Sequence, residues 1–152
     1  MTWTYQGTLV EVLPEECIGF VYIISNTLTG RKYIGKKLGK FSKTTYKVVK
    51  LKNGTKKRKK IKSKIPSDWQ DYYGSSPSLL KDIETLGKQN FTREILYYCT
   101  SKAELSYIEA REQFERKVLE SDDYYNGIIN LRVGESNALK EALLKHDKNK
   151  LE

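Results

Sequence analysis

Two tyrosines, an inward-facing glutamate and an asparagine are the residues of this 152-residue chain whose types and spacing could do chemistry. Tyr22 ends Gly19-Phe20-Val21-Tyr22 and Tyr33 opens Tyr33-Ile34-Gly35, on either side of Asn26-Thr27-Leu28-Thr29-Gly30. Val21 to Ile24 and Lys32 to Ile34 are short β-branched and aromatic runs, and the Asn, Thr and Gly between them supply turn chemistry, so the pair reads as a β-hairpin. Two phenols on paired strands suggest a reaction centre, although tyrosine is also an ordinary strand residue. The carboxylate comes from farther along the chain. Leu105, Ile108 and Leu119 fall on one face of a helix expected from about Ser101 to Ser121, and Glu112 projects from that same stripe. A carboxylate facing a core needs an Arg, a Lys or a metal ion beside it, because an unpaired buried charge is strongly unfavourable. Glu109, Glu115 and Glu120 lie off or at the margin of the stripe and read as solvated. The one histidine, His146, lies in a charged tail far in sequence from these residues, so a histidine base is not expected.

The elements that must position these groups are well signalled. Ser101-Lys102-Ala103-Glu104 is a capping box that starts the late helix. Ser76 followed by Pro77 reads as an N-cap with proline at the first helical position, opening a helix that runs to about Leu86 and stops at Gly87. Its amides emerge from the turn at Tyr73, Gly74, Ser75 and Ser76 and could receive a phosphate, so Tyr73, Ser75 and Ser76 are candidate nucleic-acid contacts; an ordinary helix start explains them as well. Phe91 to Leu96 reads as a strand.

The charge is concentrated. The chain has 28 basic and 19 acidic residues, a formal net charge of +9, yet the stretch from Arg31 to Lys64 holds 16 Lys and Arg with no Asp or Glu. Unopposed charges at this density repel one another unless a polyanion offsets them, and nucleic acid is the most economical partner. Within the stretch, Tyr46 to Lys52 and Thr55 to Ile61 flank Asn53-Gly54, a strong hairpin-turn signal, so residues 43–64 read as an inserted basic β-ribbon. Lys43, Lys47, Lys50, Lys52, Lys56, Lys57, Arg58, Lys59, Lys60 and Lys62 are its candidate DNA contacts. Lysine outnumbers arginine there, which favours phosphate contact over bidentate base reading.

The two tyrosine elements resemble those that give the GIY-YIG nuclease family its name. The second matches letter for letter, and the first carries one residue more than Gly-Ile-Tyr. Together with the Tyr-Gly-Ser-Ser turn, the helix and the strand that follow, the chain is similar to phage-type, Seg-like GIY-YIG homing endonucleases over most of residues 19 to 131. The resemblance implies an α+β domain with a three-stranded antiparallel sheet flanked by helices. It also implies a metal-binding Glu on a late helix and an Asn some residues later, for which Arg111-Glu112-Gln113-Phe114 and Tyr124-Tyr125-Asn126 look like the counterparts, with Asn130 as the alternative to Asn126. The implied chemistry is hydrolysis of a phosphodiester in double-stranded DNA with one Mg2+ or Mn2+ held by Glu112. In that reading Tyr22 is the base, Tyr33 orients water or phosphate, and Asn126 ties the site together. An unperturbed phenol has a pKa of about 10, so Tyr22 would need cationic neighbours, and Lys36 and Lys37 are the candidates. One departure matters: members place an arginine on the helix after Tyr-Ile-Gly, and this chain has no Arg between Arg31 and Arg58. Lys36, Lys37 or Lys43 would have to take that part. A non-catalytic DNA- or RNA-binding module on the same fold is the alternative reading.

Composition bounds the rest. The expected organisation is an N-terminal strand or arm at 1–13, the nuclease-like domain at 14–134 and a C-terminal amphipathic helix at 135–152, with Leu139, Leu143 and Leu144 on one face. That helix could pack on its own domain or form a homodimer contact. No apolar run approaches membrane length and no signal-peptide pattern opens the chain, so a soluble, cytoplasmic protein is expected. Cys17 and Cys99 are too few for a disulfide framework and read as reduced thiols poorly suited to a zinc site.

Overall fold

The structure is a computed structural model that describes residues 2–151, with side chains described through residue 146; the outermost residue of the expected arm and of the expected C-terminal helix lie outside it. Its architecture is α+β. The Tyr22 and Tyr33 runs form strands β3 (Gly19–Asn26) and β4 (Lys32–Leu38), joined by a turn in which the Asn26 carboxamide oxygen accepts from the N–H groups of Leu28 and Thr29. Strand β7 (Phe91–Cys99) pairs antiparallel with the other side of β3, which gives the three strands expected.

The sheet does not stop there. Strand β1 (Trp3–Tyr5) pairs parallel with β7, and β2 (Thr8–Val10) pairs antiparallel with β1, so the sheet is five-stranded and mixed, in the order β2-β1-β7-β3-β4. The first hairpin closes through Gln6 and Gly7, both at positive φ, as a two-residue turn between right-twisted strands requires. What anchors this addition is Trp3, which is buried, donates its indole N–H to the Trp69 carbonyl at 2.8 Å, and meets Phe20 and Tyr22 edge-on at 5.0 and 5.3 Å.

Residues alternate across β3. Phe20, Tyr22 and Ile24 enter one core with Trp3, Trp69, Leu79 and Phe91, whereas Val21 and Ile23 enter a second core with Ile34, Leu105, Ile108 and Val118. Helix α1 (Pro77–Leu86), capped by Ser76 and ended by Gly87 at φ 92°, supplies Leu79 and Ile83 to the first core. Helix α2 (Lys102–Glu115) covers the second. The Ser101 hydroxyl accepts from the Glu104 N–H at 3.1 Å, while the Glu104 carboxylate reaches past the cap to the N–H and hydroxyl of Thr100. This helix ends a turn and a half before Ser121. Lys117 adopts φ 53°, the Val118 N–H bonds back to the Gln113 carbonyl, and Val118 fills the core position expected of Leu119, which is 52% exposed.

Two elements lie outside the main sheet. Strands β5 (Lys40–Lys50) and β6 (Lys56–Pro66) form a separate two-stranded ribbon that grows from the end of β4 through Gly39 and turns at Gly54, φ 85°. Helix α3 (Asn137–Leu151) rests on α2, with Leu139 buried and Leu143 against the second core, while Leu144 remains 60% exposed. Among the described residues no helix is long and apolar enough to cross a membrane.

Candidate active site

The register of the central hairpin places Tyr22 opposite Gly35, with Tyr33 two residues away on the same side of the sheet. Both rings lean over that glycine. A Cβ on Gly35 would lie 2.5 Å from the Tyr22 hydroxyl and 2.8 Å from a ring carbon of Tyr33, so the space above residue 35 belongs to the two phenols. Their ring centroids are 6.1 Å apart. Tyr33 shares a hydrogen bond with the Ser75 hydroxyl at 3.2 Å, and its ring lies against Gly74, whose φ of 90° and tight surroundings suit only glycine. The start of α1 therefore abuts Tyr33, with the Ser76 hydroxyl accepting from the Leu79 N–H and donating to the Tyr125 carbonyl.

A third phenol joins them. Tyr72 meets Tyr22 at a ring separation of 6.0 Å and hydrogen-bonds its hydroxyl. Lys37 lies over Tyr72, its Nζ 4.1 Å from the ring centroid, and pairs with Asp68 at 2.7 Å. The loop that carries Tyr72 is held by Arg93, a buried guanidinium that donates to the carbonyls of Gln70 and Tyr72, both at 2.9 Å. Neither Tyr72 nor Arg93 stood out in the sequence. Tyr73, expected as a nucleic-acid contact, is instead 8% exposed and packs in the first core with the Arg93 guanidinium 4.1 Å from its ring centre. The sequence does not say which of the two adjacent tyrosines is buried.

Two carboxylates of α2 meet different fates. Glu112 is buried, accepts from the Tyr97 hydroxyl at 2.7 Å with one oxygen and from Arg116 Nε at 3.0 Å with the other. This is the buried ion pair that the sequence allowed as the alternative to a metal. It sits on the α2 side of the sheet, beside β7, while Tyr22 lies on the opposite side. Glu109 behaves otherwise. One turn earlier on the helix, it lies near the Lys36 backbone at the edge of β4. Burial raises its pKa, against the pull of the Lys36 charge and backbone, and its own charge helps to raise the pKa values of Tyr22 and Tyr33. The carboxylate that senses both tyrosines is thus the one the sequence left to solvent. Helical periodicity marks Glu109 as marginal to the core stripe, and that margin faces the sheet edge.

The lysines do not depress the phenols. Lys36 Nζ donates to the Ser106 hydroxyl at 2.8 Å and Lys37 is taken up by Asp68 and Tyr72. Tyr22 is pushed well above the usual phenol range by burial, with Tyr33, Tyr72 and Glu109 adding to the rise, so its hydroxyl is protonated in the protein as described. Asn126 has a defined task. Its carboxamide accepts from the Ile34 N–H at 3.0 Å and donates to the Ile34 carbonyl at 2.7 Å, pairing with the edge strand as another strand would. Backbone bonds from Lys32 N–H to Asp123 and from Tyr125 N–H to Lys32 extend that clasp, whereas Asn130 is exposed. Tyr33 and Gly35 are held in place from outside the sheet by this segment.

A second group of ligating atoms lies on the far side of α2. Cys99, Glu104 and His146 bring a sulfur, a carboxylate oxygen and a ring nitrogen within 4.8 Å of one another. His146 Nε2 is 2.7 Å from Glu104, and the Cys99 thiol hydrogen-bonds the same carboxylate, so these groups satisfy one another. Helix α3 delivers the histidine to the pocket of about 470 Å3 that also holds Glu112, Tyr97 and Arg116, a convergence that sequence distance concealed.

Two tyrosines converging over the glycine of Tyr-Ile-Gly, on the central hairpin of a small sheet clasped by an asparagine, place the molecule in the GIY-YIG nuclease class. Residues 3–129 match the family model described as "Putative endonuclease segE, GIY-YIG domain", and the chain belongs to that family. Comparison with curated proteins and with solved structures gives no match.

Proposed function

We propose that this protein is a divalent-metal-dependent endonuclease that hydrolyses phosphodiester bonds in double-stranded DNA, of the phage or mobile-element kind. The observation that carries the reading is the convergence of Tyr22 and Tyr33 over Gly35. Glu109 replaces Glu112 as the proposed metal ligand. Its carboxylate is a hard oxygen donor whose pKa burial raises, and a hard cation would favour its charged form. Mg2+ or Mn2+ bound there would stabilise charge developing on the phosphate and its leaving oxygen.

The chain's own groups do the rest. Tyr22, protonated and buried, could take the attacking water's proton only after losing its own, which requires positive charge to offset the burial. Tyr33 and Ser75 present hydroxyls at the rim. Lys37, held over Tyr72, takes the place of the missing arginine: exchange of Asp68 for a DNA phosphate would bring its ammonium to the scissile group. Lys gives a point charge rather than a two-pronged contact, so the phosphate must be oriented by the tyrosines and by the start of α1.

The test is supercoiled plasmid incubated with the protein in magnesium and in chelator, beside Tyr22→Phe. Nicked or linear product that requires metal and falls sharply in Tyr22→Phe is expected. Salt-sensitive plasmid binding without cleavage, across several metals and sequences, would replace this reading with the non-catalytic DNA-binding module.

A further inference from the structure

The ribbon is not uniformly basic once its register is known. Alternate residues of a strand share a side, and on β6 one side carries Lys56, Arg58, Lys60, Lys62 and Lys64 without interruption. Across the ladder these residues face Lys50, Val48, Tyr46, Thr44 and Ser42, so the charge runs in single file along one strand with mostly neutral partners beside it. The other side of β6 reads Lys57, Lys59, Ile61, Ser63 and Ile65 and pairs at its base with Phe41. It is basic near the tip, where Lys47 faces Lys59, and mixed toward the body, where Lys43 and Thr45 accompany Ile61, Ser63 and Ile65. All eleven residues of β6 are exposed, and the ribbon pairs with no other strand.

Resting on the nuclease reading for the identity of the polyanion, we infer that the β6 row from Lys56 to Lys64 is a phosphate-tracking ridge that lies along the sugar-phosphate backbone of a DNA duplex. Same-side residues of a strand recur every ~6.7 Å, so the row spans roughly 27 Å and meets a run of successive phosphates rather than one. Lysine supplies flexible point charges that follow a backbone without reading base edges. Arg58, the exception, is braced from the neighbouring strand, its guanidinium 4.6 Å from the Tyr46 ring centre. The ridge is rooted next to the chemistry, since only Gly39 separates the ribbon from β4, the strand that carries Tyr33, Lys36 and Lys37. The ribbon therefore supplies sequence-independent grip, and its two sides are not equivalent.

Two variants with equal loss of charge separate the sides. One replaces Lys56, Arg58, Lys60 and Lys62 with Gln, and the other replaces Lys43, Lys47, Lys57 and Lys59 with Gln. Binding to a labelled duplex is measured by fluorescence anisotropy in chelator across a salt series. The ridge variant should show a log K against log salt slope shallower by about 3 to 4, since each phosphate contact contributes about 0.9, with the same loss on unrelated duplex sequences. The opposite-side variant should lose less than about 1 in slope. A version with arginine in place of Lys56, Lys60 and Lys62 should keep the wild-type slope, which separates lost charge from a damaged ribbon. Equal losses from the two sides, or a larger loss from the second, would overturn the ridge while leaving DNA as the partner. A wild type that binds no duplex at any salt would overturn the nuclease reading itself.

Discussion

Glu109 and Glu112 lie one helical turn apart on α2, yet their surroundings are opposite in kind. Glu112 faces β7 and has both oxygens engaged, by a phenol and a guanidinium. Glu109 lies at the edge of β4, where burial raises its pKa against the pull of Lys36. The difference teaches that burial of a carboxylate is not by itself a sign of chemistry. A fully satisfied buried pair holds a helix to a sheet. A half-buried carboxylate whose pKa burial raises would gain from a cation, which is the basis of the proposed role of Glu109.

A large effect on the Glu109 side is expected from Gly35→Ala. The new methyl would need space held by the Tyr22 hydroxyl and the Tyr33 ring, so cleavage should fall about 100-fold, as displacements of about 1 Å do. Stability should fall by about 1–3 kcal/mol from overpacking, read from urea unfolding. A variant with wild-type cleavage would break the claim that the phenols converge there. Next is Asn126→Ala. Removing the carboxamide strips partners from both backbone groups of Ile34, although Gln113 still donates to its carbonyl at 3.0 Å, so a loss of about 1–3 kcal/mol is expected with a parallel fall in cleavage.

On the Glu112 side the sharper probe is pH. Burial opposes ionisation of Glu104, but His146 and the Thr100 donors outweigh it and hold its pKa below the usual value. The stabilisation from this carboxylate is therefore complete above the unfolded-state pKa and is lost as pH falls through the lowered folded value. His146→Ala should remove part of it, about 1 kcal/mol near neutrality, and flatten the acid limb of the stability curve, while cleavage per folded molecule stays unchanged. Loss of cleavage in that variant would show that the far side of α2 takes part in the chemistry.

The fold was legible where local signals were strong. Ser76-Pro77 and Gly87 delimit α1, Ser101 and Glu104 start α2, and Asn53-Gly54 turns the ribbon, because caps and turns are decided by a few adjacent residues. The tyrosine hairpin and its membership of the GIY-YIG family were legible for the same reason. What stayed hidden depends on contacts distant in sequence. The parallel pairing of β1 with β7 is set by Trp3 reaching Trp69, and the inward turn of Tyr73 is set by Arg93. Glu112 lies on the core-facing stripe as expected, and its partners there are Tyr97 and Arg116. Period alone gives a direction on the helix, not whether an arginine is waiting there.

Whether Glu109 rather than Glu112 serves the reaction is decided by a paired substitution. Glu109→Gln and Glu112→Gln should be compared for magnesium-dependent plasmid cleavage and for urea unfolding midpoint. Glu109→Gln should lose cleavage by at least about 100-fold with its midpoint held, as removal of a group acting on the transition state does. Glu112→Gln should keep its cleavage rate per folded molecule and lose about 1–3 kcal/mol of stability. Full cleavage by Glu109→Gln, with activity abolished in a stably folded Glu112→Gln, would contradict the assignment and return the metal to the far side of the helix.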